Sequence, residues 1–327
     1  MMSSVICELC PRYCAIPEGG AGDCRVRVNL EGKLIATTFG RPSSVHIDPM
    51  EKKPLFHFLP GSPIFSIATA GCNLHCKNCQ NWQLSQRSGA EMEEIYNAPP
   101  QRVVATARQQ RCQSIAYTYS EPLVFYEYVR ETSLAAREVG LKNVLVSAGY
   151  VNREPLQALS RLLDAANVDL KAFDDRFYRE VCGATLQPVL DALVILKEAG
   201  VWLEITNLII PTLNDDLSMV RRMARWIHNE LGPRVPLHLS RFHPQYRMQN
   251  LPPTPGEILI RCRNEALEVG LEHVYIGNLL GNEGESTRCP RDNTLLIERA
   301  GFRIQQNNLL PGGVCPTCQQ AIAGVWT

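Results

Sequence analysis

Gly71-Cys72-Asn73-Leu74-His75-Cys76-Lys77-Asn78-Cys79-Gln80-Asn81-Trp82 spaces three cysteines as C-x3-C-x2-C, directly after the apolar run 64–70. At that spacing the three sulfurs share neither a helix face nor a strand face, so the loop has to wrap around a compact object. Soft thiolates favour zinc or an iron-sulfur cluster as that object. A cubane cluster normally takes four cysteine ligands, so three from one loop hold three corners and leave the fourth iron open. A partial zinc knuckle or three unrelated thiols are the plainer readings. The strand-like run before the loop and the polar sequence after it favour the cluster.

The 327 residues fit about two domains, or one α/β barrel with smaller pieces attached. Lys plus Arg equals Asp plus Glu at 33 each. A zero net charge offers no field for nucleic acid or an anionic membrane, so the expected partner is a small molecule or a protein. No signal-peptide core precedes Cys7, and no run reaches the roughly 18 apolar residues of a membrane span. A cytoplasmic location without membrane association is the expectation. Thirteen cysteines, an odd number largely in C-x2-C or C-x3-C groups, argue for metal sites in a reducing compartment over a disulfide framework.

Residues 1–60 open with Cys7-x2-Cys10-x3-Cys14-x9-Cys24, a set of four thiolates complete for zinc or for a second cluster. Four reduced thiols in a small β extension is the alternative. The surrounding sequence is short and Gly-rich, and a metal clip suits an extension whose apolar core is thin.

From residue 61 to 285 strands alternate with helices. Strand candidates cover 64–70, 114–119, 143–147, 167–171, 202–210, 236–241 and 273–277. Helical spacing covers 100–110, 123–139, 154–164, 188–199, 216–231 and 255–269, the last opening on a capping box, Thr254-Pro255-Gly256-Glu257. Such repeats predict an α/β fold, a partial or near-complete (β/α) barrel with its chemistry at the carboxyl ends of the strands. The polar groups follow that rule. Ser120-Glu121-Pro122 comes after the second strand, Ser147 ends the third, and Asp169 and Lys171 close the fourth. Asn207 and residues 211–216 follow the fifth, and His243 the sixth.

Residues 286–327 form a third part. Cys289-Pro290-Arg291-Asp292 and Cys315-Pro316-Thr317-Cys318 bracket a strand-like stretch, the layout of a zinc ribbon or rubredoxin-like module.

Cys72, Cys76 and Cys79 resemble the cluster motif of radical S-adenosylmethionine (SAM) enzymes. Glu51-Lys-Lys-Pro-Leu-Phe-His-Phe-Leu-Pro-Gly61 and Cys79-Gln80-Asn81-Trp82 resemble the pyruvate formate-lyase activating enzyme-like branch, and within it the radical SAM member of the AmmeMemoRadiSam system, over nearly the whole chain. The resemblance implies a [4Fe-4S] cluster on those three cysteines with SAM at the open iron. It further implies one electron from a donor such as flavodoxin or ferredoxin, and a 5'-deoxyadenosyl radical that abstracts hydrogen from a protein or small-molecule substrate. Memo-like and Ammecr-like proteins are the implied partners.

By the same resemblance Ser120 and Glu121 hold the SAM amino group, Asp169 and Lys171 face SAM, and His243 contacts the ribose. Ser147 is a further cofactor-binding candidate and Cys182 a hydrogen donor or acceptor on the substrate side. His238 is read as a barrel-interior residue. The family pattern would put cysteine at Asp292. A Cys3Asp site, a vestigial one and no metal stay open for the tail, with the balance toward a metal-free or labile knuckle. A metal-bearing binding or electron-transfer protein without SAM turnover is the alternative for the whole chain.

Overall fold

The computed structural model describes residues 4–279 and 281–327. The cysteine-rich start forms two small antiparallel hairpins, β1 (Val5–Ile6) with β2 (Ala15–Ile16) and β3 (Arg27–Leu30) with β4 (Lys33–Ala36). β5 (Ser44–Pro49) then pairs antiparallel along its length with β6 (Pro63–Ala68). Short α1 (Trp82–Ser85) and α2 (Pro100–Gln109) lead to β7 (Ser114–Tyr117), and α3 (Tyr126–Glu138) to β8 (Lys142–Ser147). α4 (Arg153–Ser160) precedes β9 (Ala165–Asp169). α5 (Asp175–Phe177), a π turn (Tyr178–Cys182) and α6 (Gln187–Glu198) precede β10 (Trp202–Ile209). α7 (Leu217–Trp226) leads to β11 (Leu237–Arg241), and α8 (Gly256–Val269) to β12 (Val274–Gly277). The tail holds β13 (Thr287–Arg288), β14 (Leu295–Ala300) and β15 (Arg303–Asn307) as a separate antiparallel sheet.

The main sheet has eight strands in the order β12-β11-β10-β9-β8-β7-β6-β5, with β6 to β12 parallel to one another and β5 antiparallel at the edge. β5 and β12 stand at its two ends, so the barrel is partial. Ile67, Ile115, Val168, Ile205 and Leu239 are fully buried, as expected for parallel strands covered on one side by helices and on the other by loops. The helices seal it with one stripe each: on α6, Val189, Leu193 and Leu196 are buried at helical spacing.

Three local features differ from the sequence expectations. β5 has no counterpart among the strand candidates; its Val45, His46 and Ile47 are half-buried or exposed, so it carries no continuous apolar run. Segment 154–164 is helical only to Ser160. The capping box at Thr254 does not form: its hydroxyl donates to Ile209 O at 2.5 Å and accepts from Phe242 N at 3.1 Å, tying β10 to the β11 loop. Asp216 does cap α7, accepting from the Ser218 and Met219 amides.

Segment 51–58 and the tail plug the amino end of the sheet. Leu59 N donates to Val325 O and Val325 N to His57 O, both at 2.7 Å. Buried Arg299 of β14 donates to Phe56 O at 2.8 Å and stands 3.6 Å from Glu51. His57 bonds Ala323 O through Nδ1 and the Tyr275 hydroxyl through Nε2. Glu204 accepts from the Phe56 and His57 amides and pairs with His238 at 2.6 Å. Burial works against the Glu204 charge, and His238 and His57 overcome it, holding its pKa at about 2.

Candidate metal and cofactor site at the barrel rim

β6 delivers the chain to Gly71, which has φ +95°; a Cβ there would stand 2.6 Å from Cys24 O and 2.6 Å from Val26 Cγ1. Only glycine fits that close approach. The loop that follows is held from outside. His75 N donates to Cys182 O at 2.8 Å and Lys77 N to Val181 O at 2.9 Å, both on the π turn, while Arg247 N donates to Lys77 O. Asn81 Nδ2 donates to Tyr119 O at 2.8 Å, and the Trp82 ring stacks on Tyr246. With its backbone bonded outward, the loop turns Cys72, Cys76 and Cys79 into a cavity of about 440 Å³ at the carboxyl ends of the strands.

Ser120, Glu121, Ser147, Asp169 and Lys171 line the same cavity. Glu121 is buried, and its carboxylate accepts from Ser147 Oγ at 2.7 Å, Ala148 N at 2.8 Å and Leu123 N at 3.2 Å. Burial raises its pKa and those three donors oppose the rise. All three donors are neutral, and Lys171 is the cation that acts on the carboxylate. Ser120 Oγ donates to Thr69 O. Lys171 Nζ stands 2.8 Å from Asp169 Oδ2. Burial disfavours the ammonium, and Asp169 outweighs it, keeping Lys171 well above its ordinary value.

Of the remaining candidates, Cys182, His243 and Asn207 are outside the lining. Cys182 is fully buried and bonds the Cys76 thiol from behind; that bond is the main reason the Cys76 pKa falls to about 7. Cys182 is not among the cavity's lining residues. His243 is exposed and also outside the lining, whereas buried His238 lines the cavity floor. Asn207 is buried within β10, donates to Leu170 O and is outside the lining. Asn78 lines the cavity, and its Oδ1 is buried without a hydrogen-bond partner.

Residues that sequence reasoning did not single out complete the wall. Lys53 is buried, donates to Asp48 at 2.6 Å and lies 4.8 Å from the Tyr119 ring centroid; Tyr119 OH also donates to Asp48. Burial lowers the Lys53 pKa to about 8 against the pull of Asp48. The available signal is the word at 51–61, which by itself carries a resemblance and no contact.

Two further cysteine groups lie outside the rim. Cys7, Cys10, Cys14 and Cys24 surround a second, small cavity. In the tail, Cys289, Asp292, Cys315 and Cys318 bring one ligand atom each within 4.8 Å of one another. Cys289 and Cys318 sulfurs are 3.5 Å apart, and Cys315 Sγ is 3.8 Å from both Asp292 oxygens. Tetrahedral zinc with bonds of about 2.3 Å wants sulfurs about 3.8 Å apart, so Asp292 stands where the fourth ligand belongs.

The radical SAM superfamily model matches residues 66–227. The chain is 46% identical over 307 residues to an uncharacterized protein of Methanocaldococcus jannaschii, covering 94% of this chain and 91% of that one. It is 24% identical over 162 residues to a pyruvate formate-lyase-activating enzyme of Clostridium pasteurianum, covering 49% and 67%. A radical SAM methyltransferase structure from Sphaerobacter thermophilus matches with a TM-score of 0.53 at 15% identity over 68% of each chain, a likeness of fold. Among the described residues no helix is long and apolar enough to cross a membrane.

Proposed function

Because the chain belongs to the radical SAM superfamily, which implies a [4Fe-4S] cluster and SAM, we propose that Cys72, Cys76 and Cys79 hold that cluster and that the cavity beside them holds SAM. The observation that carries the reading is the shared lining: three thiols, a buried carboxylate with neutral donors and an Asp-Lys pair all face one space. When bound, cluster and SAM supply a one-electron cleavage to methionine and a 5'-deoxyadenosyl radical, which takes a hydrogen atom from substrate.

The chain's own residues bind and orient. Glu121 receives the SAM ammonium, a charge-assisted contact whose direction Ser147 and the Ala148 amide set in advance. Lys171 meets the carboxylate or the sulfur ligands, and Asp169 holds it in place. The plug of segment 51–58 and the tail closes the amino end, so substrate enters from the rim.

The substrate is a hydrogen donor outside the chain; the likeness to activating enzymes supports a protein in that role, and the AmmeMemoRadiSam resemblance of the sequence puts forward Memo-like and Ammecr-like proteins. The setting is cytoplasmic, with a flavodoxin- or ferredoxin-type reductant. Deuterium-labelled candidate partners, Memo-like and Ammecr-like proteins first, test this: transfer of deuterium into 5'-deoxyadenosine is expected from the substrate, and 5'-deoxyadenosine free of label with every candidate would rule the protein-substrate reading out. Binding or electron transfer without turnover needs no cavity that joins three thiols to a buried carboxylate and an Asp-Lys pair, and that shared lining is what weighs against it.

A further inference from the structure

The three cysteine groups differ in spread. Ligands of one ion crowd together, whereas cubane ligands sit on separate irons and stand further apart. Among the described residues, the tail group is where three or more candidate ligand atoms lie within 4.8 Å of one another. No three of Cys7, Cys10, Cys14 and Cys24 come within 4.8 Å of one another, and yet all four line one cavity. Four thiols spread around a common space suit a multi-iron object better than a single ion.

The rest of that wall fits an anionic cluster. Ile16 and Val124 make it apolar. The sulfurs meet N–H donors: the Asp23 amide at Cys14 (3.5 Å), the Arg12 amide and the Asn73 side chain at Cys10, and the Val26 and Arg27 amides at Cys24. Hydrogen bonds to sulfur are among the groups that tune iron-sulfur sites. Arg27 also lines the cavity and is 7% exposed. Its two terminal nitrogens grip Glu127 at 2.8 and 2.9 Å, while its buried Nε has no hydrogen-bond partner. A buried, unpartnered N–H on a cation beside four thiols is a group left for an anionic ligand.

The quartet is also fastened to the back of the rim loop. Asn73 lines the quartet's cavity and is the residue after Cys72. Arg12 donates to Asn73 O and to Gly183 O, each at 2.6 Å. We propose that Cys7, Cys10, Cys14 and Cys24 ligate a second four-iron, four-sulfur cluster, packed against the loop that carries Cys72, Cys76 and Cys79. This site does not depend on the SAM reading.

The test uses the full chain with Cys72, Cys76 and Cys79 all changed to alanine, reconstituted anaerobically with iron and sulfide. About four acid-labile sulfides per chain are expected, with a cubane signal by electron paramagnetic resonance after dithionite. An ion in the tail contributes no sulfide, so the sulfide count isolates the quartet. Adding Cys7→Ser and Cys24→Ser should bring sulfide close to zero. A triple-alanine chain without sulfide, or with zinc that leaves on adding Cys7→Ser and Cys24→Ser, overturns the proposal. If the triple-alanine chain does not fold, the wild-type chain is compared with Cys7→Ser/Cys24→Ser. A fall from about eight sulfides to about four is then expected, and an unchanged count overturns the proposal.

Discussion

The rim loop and the tail both collect cysteines, but they use them in opposite ways. At the rim, Cys72, Cys76 and Cys79 spread over one wall of a cavity of about 440 Å³ shared with Glu121, Asp169 and Lys171. In the tail, Cys289, Asp292, Cys315 and Cys318 converge within 4.8 Å. A closed set of four ligands leaves its metal no open coordination position, whereas an incomplete set beside a cavity leaves one for chemistry. On the proposed function the difference places reaction at the rim and leaves the tail a structural part, and the following predictions act on the rim, on the tail or on the joint between tail and barrel.

Gly71→Ala strikes the rim. The added Cβ would stand 2.6 Å from Cys24 O in a backbone at φ +95°, and strain plus overlap should cost about 3 kcal/mol or more. Reconstituted sulfide should fall while the tail's metal content holds; a parallel loss from the tail would break the comparison.

His57 sits at the joint between tail and barrel, and burial depresses its pKa to about 4 from an ordinary 6.5. The unfolded chain takes up a proton between those values that the folded chain refuses. Stability is therefore present above pH 6.5 and lost as pH falls toward 4, by about 3 kcal/mol. Denaturant midpoints between pH 7 and 4 should show that slope, and His57→Gln should flatten it.

Glu121→Gln keeps the shape of the site and removes the charge. A lost charge-assisted contact of about 2 kcal/mol should weaken SAM binding by more than tenfold, read by calorimetry on the reconstituted chain. Unchanged affinity would move the ammonium site elsewhere. Asp292→Ala should act on the tail alone, weakening zinc retention against a chelator by about tenfold while 5'-deoxyadenosine formation stays the same. Asp292→Cys should strengthen it.

The barrel was legible because parallel strands buried on both faces read as apolar runs, and the strands observed begin and end within a few residues of those expected. The rim was legible for a related reason: Glu121, Ser147, Asp169 and Lys171 follow strand ends, and the fold brings strand ends together. What escaped depended on distant partners. Lys53 in Glu51-Lys52-Lys53-Pro54 carries no periodic signal, and becomes a buried cavity wall through Asp48, another of whose partners, Tyr119, lies 71 positions away from it. Thr254 reads as a helix cap until the backbones of Ile209 and Phe242 claim its hydroxyl. His243 follows its strand as a ribose contact would, yet the chain turns it to solvent, and Cys182 reaches the cluster loop from behind. No periodicity in the sequence carries those directions.

The account rests on the rim binding and cleaving SAM. The direct measurement is 5'-deoxyadenosine released when the anaerobically reconstituted chain receives SAM and dithionite, set against Cys76→Ala treated identically. The account predicts about one or more equivalents per chain from the wild type and a background level from the variant. Equal, background-level release from both would contradict it.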